Sequence, residues 1–407
     1  MAQAAAAVAA LAPVTALAAE NHTRLERRLD SAMNQASARS GAFVYDIGDR
    51  KRLFTRRATN RRILASNTKL FTTAAALDEF GSNGRFTTEV LGDRMPNSNG
   101  VVRGDLYLVG GGDPSFGSSS FAERAYGGGG ATLEGLARAV KQAGVRRVTG
   151  NVLGDESLFD SLRGGPDSGY GVSGWVGPLS ALSFNRGLAR ENGSAFQTRP
   201  PEFAAKKLAA ALKRRGIRVG GRAGVSQAGA RAREIAAVES ITVGRLIRLT
   251  NQVSDNFFAE ILAKHLDATP THPGTTDGGA AAAARFARGF GAGAHLVDGS
   301  GLARGNRAAP RAIVRLLRGM YRHRGFEPYY ESLARASERG TLADRDTNRR
   351  CRAKTGTISG VSALSGYCRA VSGDLIAFSI LMNSVGYDYS RARRIQDAMT
   401  QIIARYG

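Results

Sequence analysis

The chain has 407 residues, of which 43% are hydrophobic and 22% charged, a globular composition that excludes a disordered protein and allows two or three domains. Its formal net charge is +23, and its basic residues are scattered, with no helix-turn-helix, zinc-finger or aromatic RNA-binding signature. The charge leaves three interpretations open: an arginine-biased soluble protein, attraction to anionic cell-wall polymers, or nucleic-acid binding.

The first 18 residues resemble an export signal. Residues 4–19 are apolar and rich in alanine, and Ala16-Leu17-Ala18 fits the small-residue pattern of a cleavage site, although the basic start of such signals is missing. No other run approaches the eighteen or so apolar residues that a membrane span needs. We therefore expect an exported protein, periplasmic or extracellular, with no transmembrane anchor after cleavage.

Strand-like and helical patterns follow this segment in turn. Up to residue 85 the sequence predicts a helix at Leu25–Met33, strands at Gly41–Asp46 and Lys51–Arg56, and a helix from Ser66 to Phe80. Between residues 86 and 240, short β-type runs alternate with glycine-rich turns, and the predicted helices are Leu133–Ala143 and Glu202–Arg215. We interpret residues 86–240 as an inserted, mostly β region.

Helical periodicity returns after residue 240. The predicted elements are helices at Val243–Thr250, Asn256–His265, Pro310–Arg322 and Ser390–Tyr406, a hairpin around Lys354 and a strand at Leu375–Met382. The last helix places Ile395, Met399 and Ile402 on one face, so it should pack against the sheet.

Two cysteines, Cys351 and Cys368, are too few for a metal cage. A hairpin centred near Ser359 and Gly360 would bring them opposite each other. A cross-strand disulfide would then indicate an oxidising compartment. The alternative is a pair of buried free thiols.

Ser66 and Lys69 form the first candidate catalytic pair. The two residues are three apart, so their side chains share a helix face. A desolvated, neutral lysine amine could accept the proton of the serine hydroxyl, whereas arginine cannot be deprotonated. The alternative is a Ser66 that caps the helix beside a solvated Lys69.

Ser254-Asp255-Asn256 begins a predicted helix and is the second candidate motif. The Ser254 hydroxyl could relay a proton to a leaving amine, and the Asn256 amide could accept a hydrogen bond from a substrate peptide. The alternative is that Asp255 or Ser254 only caps the helix.

Lys354-Thr355-Gly356-Thr357 on a predicted strand is the third candidate motif. Because Gly356 lacks a side chain, a substrate could lie close against this strand edge. Lys354 and Thr355 could then hold a carboxylate.

The three motifs occur in order on a helix start, a helix edge and a strand, and together they are the signature of penicillin-binding proteins and class A β-lactamases. The chain therefore resembles the D-alanyl-D-alanine carboxypeptidase/endopeptidase family of penicillin-binding proteins, the penicillin-binding protein 4 type. Further stretches that support the resemblance are Gly110–Pro114, Ser180–Ser183, Asp298–Leu302 and Leu364–Tyr367. The long separation of Ser66 from Ser254 resembles this family more than class A β-lactamases.

The resemblance implies an α+β fold. Residues 19–85 and 241–407 would form a β-lactamase/transpeptidase-like catalytic domain, in which helices flank an antiparallel sheet. Residues 86–240 would be an accessory insertion of one or two subdomains. No cofactor or metal is implied.

The resemblance also implies an acyl-enzyme mechanism. Ser66 would attack the penultimate D-Ala carbonyl with Lys69 as its base, and water would complete deacylation. Ser254 and Lys354 would form the proton path to the leaving D-Ala, and Asn256 would hold the donor peptide.

Substrate contacts are implied for the strand motif and for one loop. Lys354 and Thr355 would engage the terminal carboxylate, and the N–H groups of Ser66 and Thr357 would stabilise the oxyanion. The substrate-binding set also includes Gly356, Leu302 and Arg304.

Arg304 follows the Asp298–Leu302 stretch, and its counterpart in relatives helps to bind the free end of a diaminopimelate side chain. The alternative is one arginine among many on a solvated loop. Relatives also supply an acid from the insertion. The corresponding residues 169–175 contain none, and Asp167 is the nearby candidate.

The expected partners are peptidoglycan stem peptides, β-lactam antibiotics as acylating inhibitors and anionic wall polymers, with no nucleic acid, since export and the missing motifs oppose it. We expect the protein to associate with the cell wall. The alternatives are a β-lactamase or esterase on the same scaffold and a non-catalytic wall-binding protein.

Overall fold

The computed structural model describes residues 20–193, 195–386 and 389–407. The predicted export signal, residues 1–18, lies outside this range. The helices are α1 (residues 20–34), α2 (Lys69–Phe80), α3 (Ser119–Tyr126), α4 (Leu133–Gln142), α5 (Pro200–Arg214), α6 (Val243–Gln252), α7 (Asn256–His265), α8 (Thr276–Arg288), α9 (Pro310–Tyr321), α10 (Phe326–Ser332) and α11 (Tyr389–Ala404). Short 3-10 turns lie at Ala65–Thr68, Pro166–Ser168 and Asn185–Gly187.

The strands, in chain order, are β1 (Ser40–Asp46), β2 (Lys51–Arg56), β3 (Arg62–Ile63), β4 (Thr87–Gly92), β5 (Val101–Val102), β6 (Leu106–Val109), β7 (Arg147–Val148), β8 (Val152–Asp155), β9 (Arg218–Val219), β10 (Ala223–Val225), β11 (Arg233–Glu239), β12 (Ala294–His295), β13 (Arg307–Ala308), β14 (Ala334–Arg335), β15 (Cys351–Ile358), β16 (Val361–Arg369) and β17 (Leu375–Asn383).

Strands from both ends of the chain form one antiparallel sheet of six strands, in the order β14-β15-β16-β17-β1-β2. The middle strands are nearly continuous apolar runs, because helices cover both faces of the sheet. The predicted final helix, α11, packs on one face through Ile395, Met399 and Ile403, beside α1.

Helix α2 carries the first motif into the centre of the other layer. Its residues from Lys69 to Leu77 are all buried, and it contacts α6, α7 and α8. Three consecutive alanines, Ala74 to Ala76, leave room for these neighbours to approach closely. The start of α2 is therefore held from several sides, which fixes the position of Lys69.

The insertion is more helical than the sequence predicts. It contains a five-stranded sheet, β10-β8-β6-β4-β11, a three-stranded sheet, β5-β7-β9, and the helices α3, α4 and α5. The expectation of a mostly β region is corrected on this point. The sequence did not predict α3, because this helix spans only eight residues and shows too little periodicity. Phe86 and Ser240 exchange two hydrogen bonds, Phe86 N–Ser240 Oγ at 2.9 Å and Ser240 N–Phe86 O at 2.8 Å, so the chain leaves and returns at adjacent points.

The β15–β16 hairpin confirms the predicted cysteine pairing. Cys351 lies directly opposite Cys368, and the two form a buried disulfide. The alternative of two free thiols is therefore wrong. Within the described residues, no helix is both long and apolar enough to cross a membrane.

Candidate active site

Ser66 lies in the 3-10 turn just before α2. The predicted helix from Ser66 begins instead at Lys69, because Ala65–Thr68 form a tighter 3-10 turn that starts with a left-handed Ala65 (φ 46°). The Lys69 amine donates a hydrogen bond to the Ser66 hydroxyl at 3.1 Å, and its side chain is fully buried. The alternative of a capping serine beside a solvated lysine is wrong, since neither helix start has a side-chain cap.

The Lys69 amine has two further acceptors, the Asn256 side-chain oxygen and the Ser300 carbonyl, each at 2.7 Å. Burial lowers the pKa of Lys69 to about 8, although the charges of Asp298 and Glu260 oppose this shift. The amine is thus oriented toward Ser66 and loses its proton more readily than an exposed lysine does.

The second motif divides into a cap and two cleft residues. Asp255 caps α7 by accepting from the Phe258 N–H at 3.0 Å, so the capping alternative is correct for this residue. The Asn256 amide oxygen faces Lys69, and its NH2 group donates to the Trp175 carbonyl at 3.1 Å. Ser254, with a left-handed backbone (φ 61°), lines the cleft beside Ser66.

The third motif places a second buried lysine near the first. Burial is the main cause that lowers the pKa of Lys354 well below its usual value, and the positive charge of Lys69 adds to it. The Lys354 amine donates to the Thr355 carbonyl at 3.0 Å. The Asn67 side chain donates to the Lys354 carbonyl at 3.0 Å. This hydrogen bond connects β15 to the 3-10 turn that contains Ser66.

Gly356 has a packing function that the sequence did not predict. A Cβ atom on Gly356 would lie 2.9 Å from the Leu64 carbonyl oxygen and 3.1 Å from the Ser66 nitrogen. The missing side chain therefore lets β15 pack against the turn that contains Ser66. Gly356 still lines the cleft, as do Thr355 and Thr357.

One edge of β15 is open at the cleft. The neighbouring strand β14 pairs only with Arg352 and Ala353, so in the described part of the chain no strand covers residues 354–358 on that side. An extended peptide could add to the sheet at this open edge.

Sequence reasoning assigned no role to two buried acids beneath the site, Glu260 and Asp298, although Asp298 begins a stretch that supports the resemblance. Glu260 accepts from the N–H groups of Gly299 (3.2 Å) and Ser300 (2.8 Å). Asp298 accepts from the N–H groups of Gly301 and Ala303, both at 2.7 Å. Together they fix the loop whose Ser300 carbonyl orients Lys69. For Glu260 the available signal was an acid four residues after Asn256, with three apolar residues on each side of it in the helix.

Burial is the main cause that raises the pKa of both acids. The pKa of Glu260 rises to about 7, with a further contribution from the Asp298 charge. The pKa of Asp298 also rises, although three backbone and side-chain donors counteract the effect of burial.

A second depression lies beside the cleft and contains the remaining predicted residues. Leu302, Arg304, Asp167 and Tyr170 all line it. Arg304 is exposed, and its guanidinium donates to the Ser359 carbonyl at 2.7 Å. Burial raises the pKa of Asp167. The structure thus brings the predicted acid and the predicted arginine to one groove.

Comparison with known proteins agrees with this geometry. Residues 25–192 and 185–406 match the D-Ala-D-Ala carboxypeptidase 3 (S13) family. A D-alanyl-D-alanine carboxypeptidase from Actinomadura sp. (strain R39) is 29% identical, over 94% of this chain and 85% of the relative. The carboxypeptidase DacB of Mycolicibacterium smegmatis is 28% identical, over 84% of this chain and 75% of the relative.

Solved structures show the same fold. Penicillin-binding protein 4 from Haemophilus influenzae superposes with a TM-score of 0.77 at 18% identity, covering 93% of this chain and 99% of the other. A penicillin G-acylated predatory endopeptidase from Bdellovibrio bacteriovorus gives a TM-score of 0.54 at 17% identity, covering 90% and 92%. With two family matches that together span nearly the whole described chain, this protein belongs to the D-Ala-D-Ala carboxypeptidase 3 (S13) family of serine-type peptidases.

Proposed function

We propose that the protein is a D-Ala-D-Ala carboxypeptidase/endopeptidase that hydrolyses peptidoglycan stem peptides through an acyl-enzyme on Ser66, and that β-lactams acylate the same serine. The observation that carries the proposal is the fully buried Lys69 amine, 3.1 Å from the Ser66 hydroxyl. A buried lysine with a lowered pKa supplies the base that a serine nucleophile needs.

Acylation begins with proton transfer from the Ser66 hydroxyl to neutral Lys69. The serine oxygen bonds to the carbonyl carbon of the penultimate D-Ala, and the carbonyl oxygen becomes an oxyanion. The N–H groups of Ser66 and Thr357 stabilise this oxyanion, each worth about 3 kcal/mol in comparable sites. The close packing of Gly356 against the Ser66 nitrogen supports this pairing.

Collapse of the tetrahedral intermediate breaks the C–N bond and needs a proton on the leaving amine. Ser254 relays that proton, which Lys69 took from Ser66, and Lys354 completes the path. The effect of Lys69 on Lys354 supports this role, because the positive charge of Lys69 adds to the burial that lowers the pKa of Lys354 and so opposes protonation of both amines at once. Water then attacks the acyl-enzyme, with Lys69 again as the base.

Substrate position follows from the open edge of β15. Lys354 and Thr355 hold the terminal carboxylate, and the acyl part of the peptide pairs with the strand toward Thr357. Asn256, held by Lys69 and the Trp175 carbonyl, accepts from the donor peptide. In the endopeptidase reaction the leaving amine belongs to a neighbouring stem peptide instead of D-Ala.

The groove lined by Leu302, Arg304, Asp167 and Tyr170 takes the side chain of the residue before the D-Ala pair. An arginine and an acid suit the carboxylate and the amine at the free end of a diaminopimelate side chain. We further propose that residues 1–18 direct export, that the enzyme acts at the cell wall, and that its net positive charge attracts anionic wall polymers.

Release of D-alanine from a pentapeptide tests the proposal. The purified protein should release D-alanine, and Ser66→Ala should not. No release from either form would favour a non-catalytic wall-binding protein. A fluorescent penicillin should give a long-lived adduct, whereas rapid turnover of that adduct would favour a β-lactamase.

A further inference from the structure

A pocket rich in arginine lies beyond the end of β15. We call it the arginine pocket and define it by five residues that line it, Arg39, Arg61, Arg62, Arg304 and Arg307. No aspartate or glutamate among the described residues lines it. None of the five arginines forms an ion pair with a carboxylate of the described chain. The pocket therefore keeps a concentrated positive charge.

One of the arginines that line the pocket, Arg62, is a buried cation without a carboxylate counter-ion in the described chain. The guanidinium of Arg62 donates to four backbone carbonyls, those of Arg39 and Asn60 at 2.7 Å and those of Arg57 and Ser40 at 2.9 Å. Its side chain is buried, and carbonyls satisfy its donors without neutralising its charge. A bound anion would supply the missing negative charge.

Paired strands fix the walls of the pocket. In the β3–β13 pair, Arg307 lies opposite Ile63 and Arg62 lies opposite Ala308. The Asn383 side chain bonds to both the N–H (3.0 Å) and the carbonyl (3.2 Å) of Ile63. The exposed guanidinium of Arg307 is thus carried on a fixed pair of strands, which suits the forked, bidentate binding of an oxyanion, whereas Arg62 contributes its charge.

The arginine pocket lies on the side of the cleft toward which the retained part of the bound peptide would extend. Under the proposed function, the terminal carboxylate lies at Lys354 and Thr355, so the retained acyl part points toward Thr357. The hairpin beyond it includes Gly360, which also lines the arginine pocket. Arg304 lines both this pocket and the groove that contains Leu302.

We infer that the arginine pocket is an oxyanion subsite that binds a carboxylate carried by the retained part of the stem peptide, upstream of the residue whose side chain occupies the neighbouring groove. This inference rests on the proposed function. It adds a specificity that the catalytic motifs do not provide: the enzyme prefers a stem peptide whose upstream carboxylate is free to one in which that group is amidated.

Two synthetic peptides that end in D-Ala-D-Ala test the inference. They are identical except that the upstream carboxylate is free in one and amidated in the other. The variant is Arg61→Gln/Arg307→Gln, since both side chains are exposed. The matched control is Arg147→Gln/Arg218→Gln, an exposed pair that lies side by side on β7 and β9 of the insertion and removes the same charge.

The wild type should cleave the free-carboxylate peptide with a kcat/KM about tenfold above that of the amidated peptide. The Arg61/Arg307 variant should lose this preference and keep the rate on the amidated peptide. The control should retain the preference. Added salt should reduce the preference of the wild type, because the two tested arginines are exposed to solvent.

Equal kcat/KM values for the two peptides in the wild type would overturn the inference. The inference would also be overturned if the Arg61/Arg307 variant kept wild-type peptide kinetics but no longer bound a poly(glycerol phosphate) polymer. The pocket would then bind a separate wall polymer. Penicillin labelling of the wild type separates the two proposals. Normal labelling without discrimination between the peptides would refute only the oxyanion subsite. No labelling would refute the proposed catalytic function and, with it, the subsite.

Discussion

The chemistry of Lys69 depends on what surrounds its amine. Three oxygen acceptors from three parts of the chain surround it, those of Ser66, Asn256 and Ser300. Burial favours the neutral amine, and the buried acids below it limit the shift, so its pKa is lowered to about 8 rather than further. The amine is therefore available both as a proton acceptor and as a proton donor near neutral pH.

Lys69→Arg should abolish acylation although it keeps a positive charge, because the guanidinium cannot give up its proton. Labelling by a fluorescent penicillin measures the effect, and we expect a loss of at least about a hundredfold. Lys141→Arg, at an exposed position on α4, is the matched control and should label normally. Normal labelling of Lys69→Arg would refute the role of Lys69 as the base.

The acylation rate should rise with pH. A lowered pKa means that Lys69 becomes neutral as pH passes through about 8, and only the neutral amine can accept the Ser66 proton. Below this midpoint the second-order rate constant for acylation should fall about tenfold per pH unit. Stopped-flow labelling at several pH values measures the profile. A rate that is flat or declines as pH rises through this range would contradict the assignment.

The sequence allowed prediction of the motif residues but not of their support. Short sequence motifs contain Ser66, Lys69 and Lys354, and the chemistry of these residues can be inferred from the motifs alone. Glu260 acquires its role through contacts with Gly299 and Ser300, about forty positions away, and Asp298 acquires its role only when folding buries its loop beneath Lys69. Such non-local burial leaves little trace in a single sequence.

At the scale of elements, β15 organises the substrate side of the cleft. It pairs with β16 along its whole length but with β14 only at its start, so the part that carries Thr355 and Thr357 has an open edge. The disulfide between Cys351 and Cys368 closes the opposite end of the hairpin. This arrangement stabilises the strand while leaving its catalytic end free.

Removal of the disulfide should lower the free energy of unfolding by about 2–4 kcal/mol. Guanidinium denaturation of Cys351→Ala/Cys368→Ala, compared with the oxidised wild type, measures the difference. A reduced wild type should behave like the variant. Detection of two reactive thiols in the unfolded but unreduced wild type would show that the bond is absent.

Elements with strong local patterns were predictable, and the others were not. The helix Asn256–His265 and the β15–β16 hairpin follow from their periodicity and turn residues. Helix α8 was missed because its buried stripe consists of small residues, and alanine also occurs on its exposed side, so the two faces differ little in hydrophobicity. The order of strands in the insertion was also beyond prediction, since β6, β8 and β10 pair in parallel across long connections.

At the scale of the whole molecule, residues 86–240 contribute contacts to the proposed active site. Arg186 of the insertion forms an ion pair with Asp255, including one contact of 3.0 Å, and stacks over Phe257 and Phe258. The Trp175 carbonyl, also from the insertion, accepts from Asn256. The second motif is therefore held between two parts of the chain.

Arg186→Gln should weaken both stability and acylation. Loss of a charge-assisted contact should lower the free energy of unfolding by about 2 kcal/mol, and Asn256 should lose its alignment with Lys69. Penicillin labelling, at a temperature where circular dichroism shows the variant folded, measures the catalytic effect. Arg190→Gln, at an exposed position nearby, is the control. Wild-type labelling by a folded Arg186→Gln protein would contradict the positioning role.

Mass spectrometry of the penicillin-treated protein tests the central claim most directly, namely that three distant motifs converge on one activated serine. The account predicts one intact penicillin per chain, on the peptide that contains Ser66, and no adduct in Ser66→Ala. An adduct on another residue, or none on the folded wild type, would contradict it.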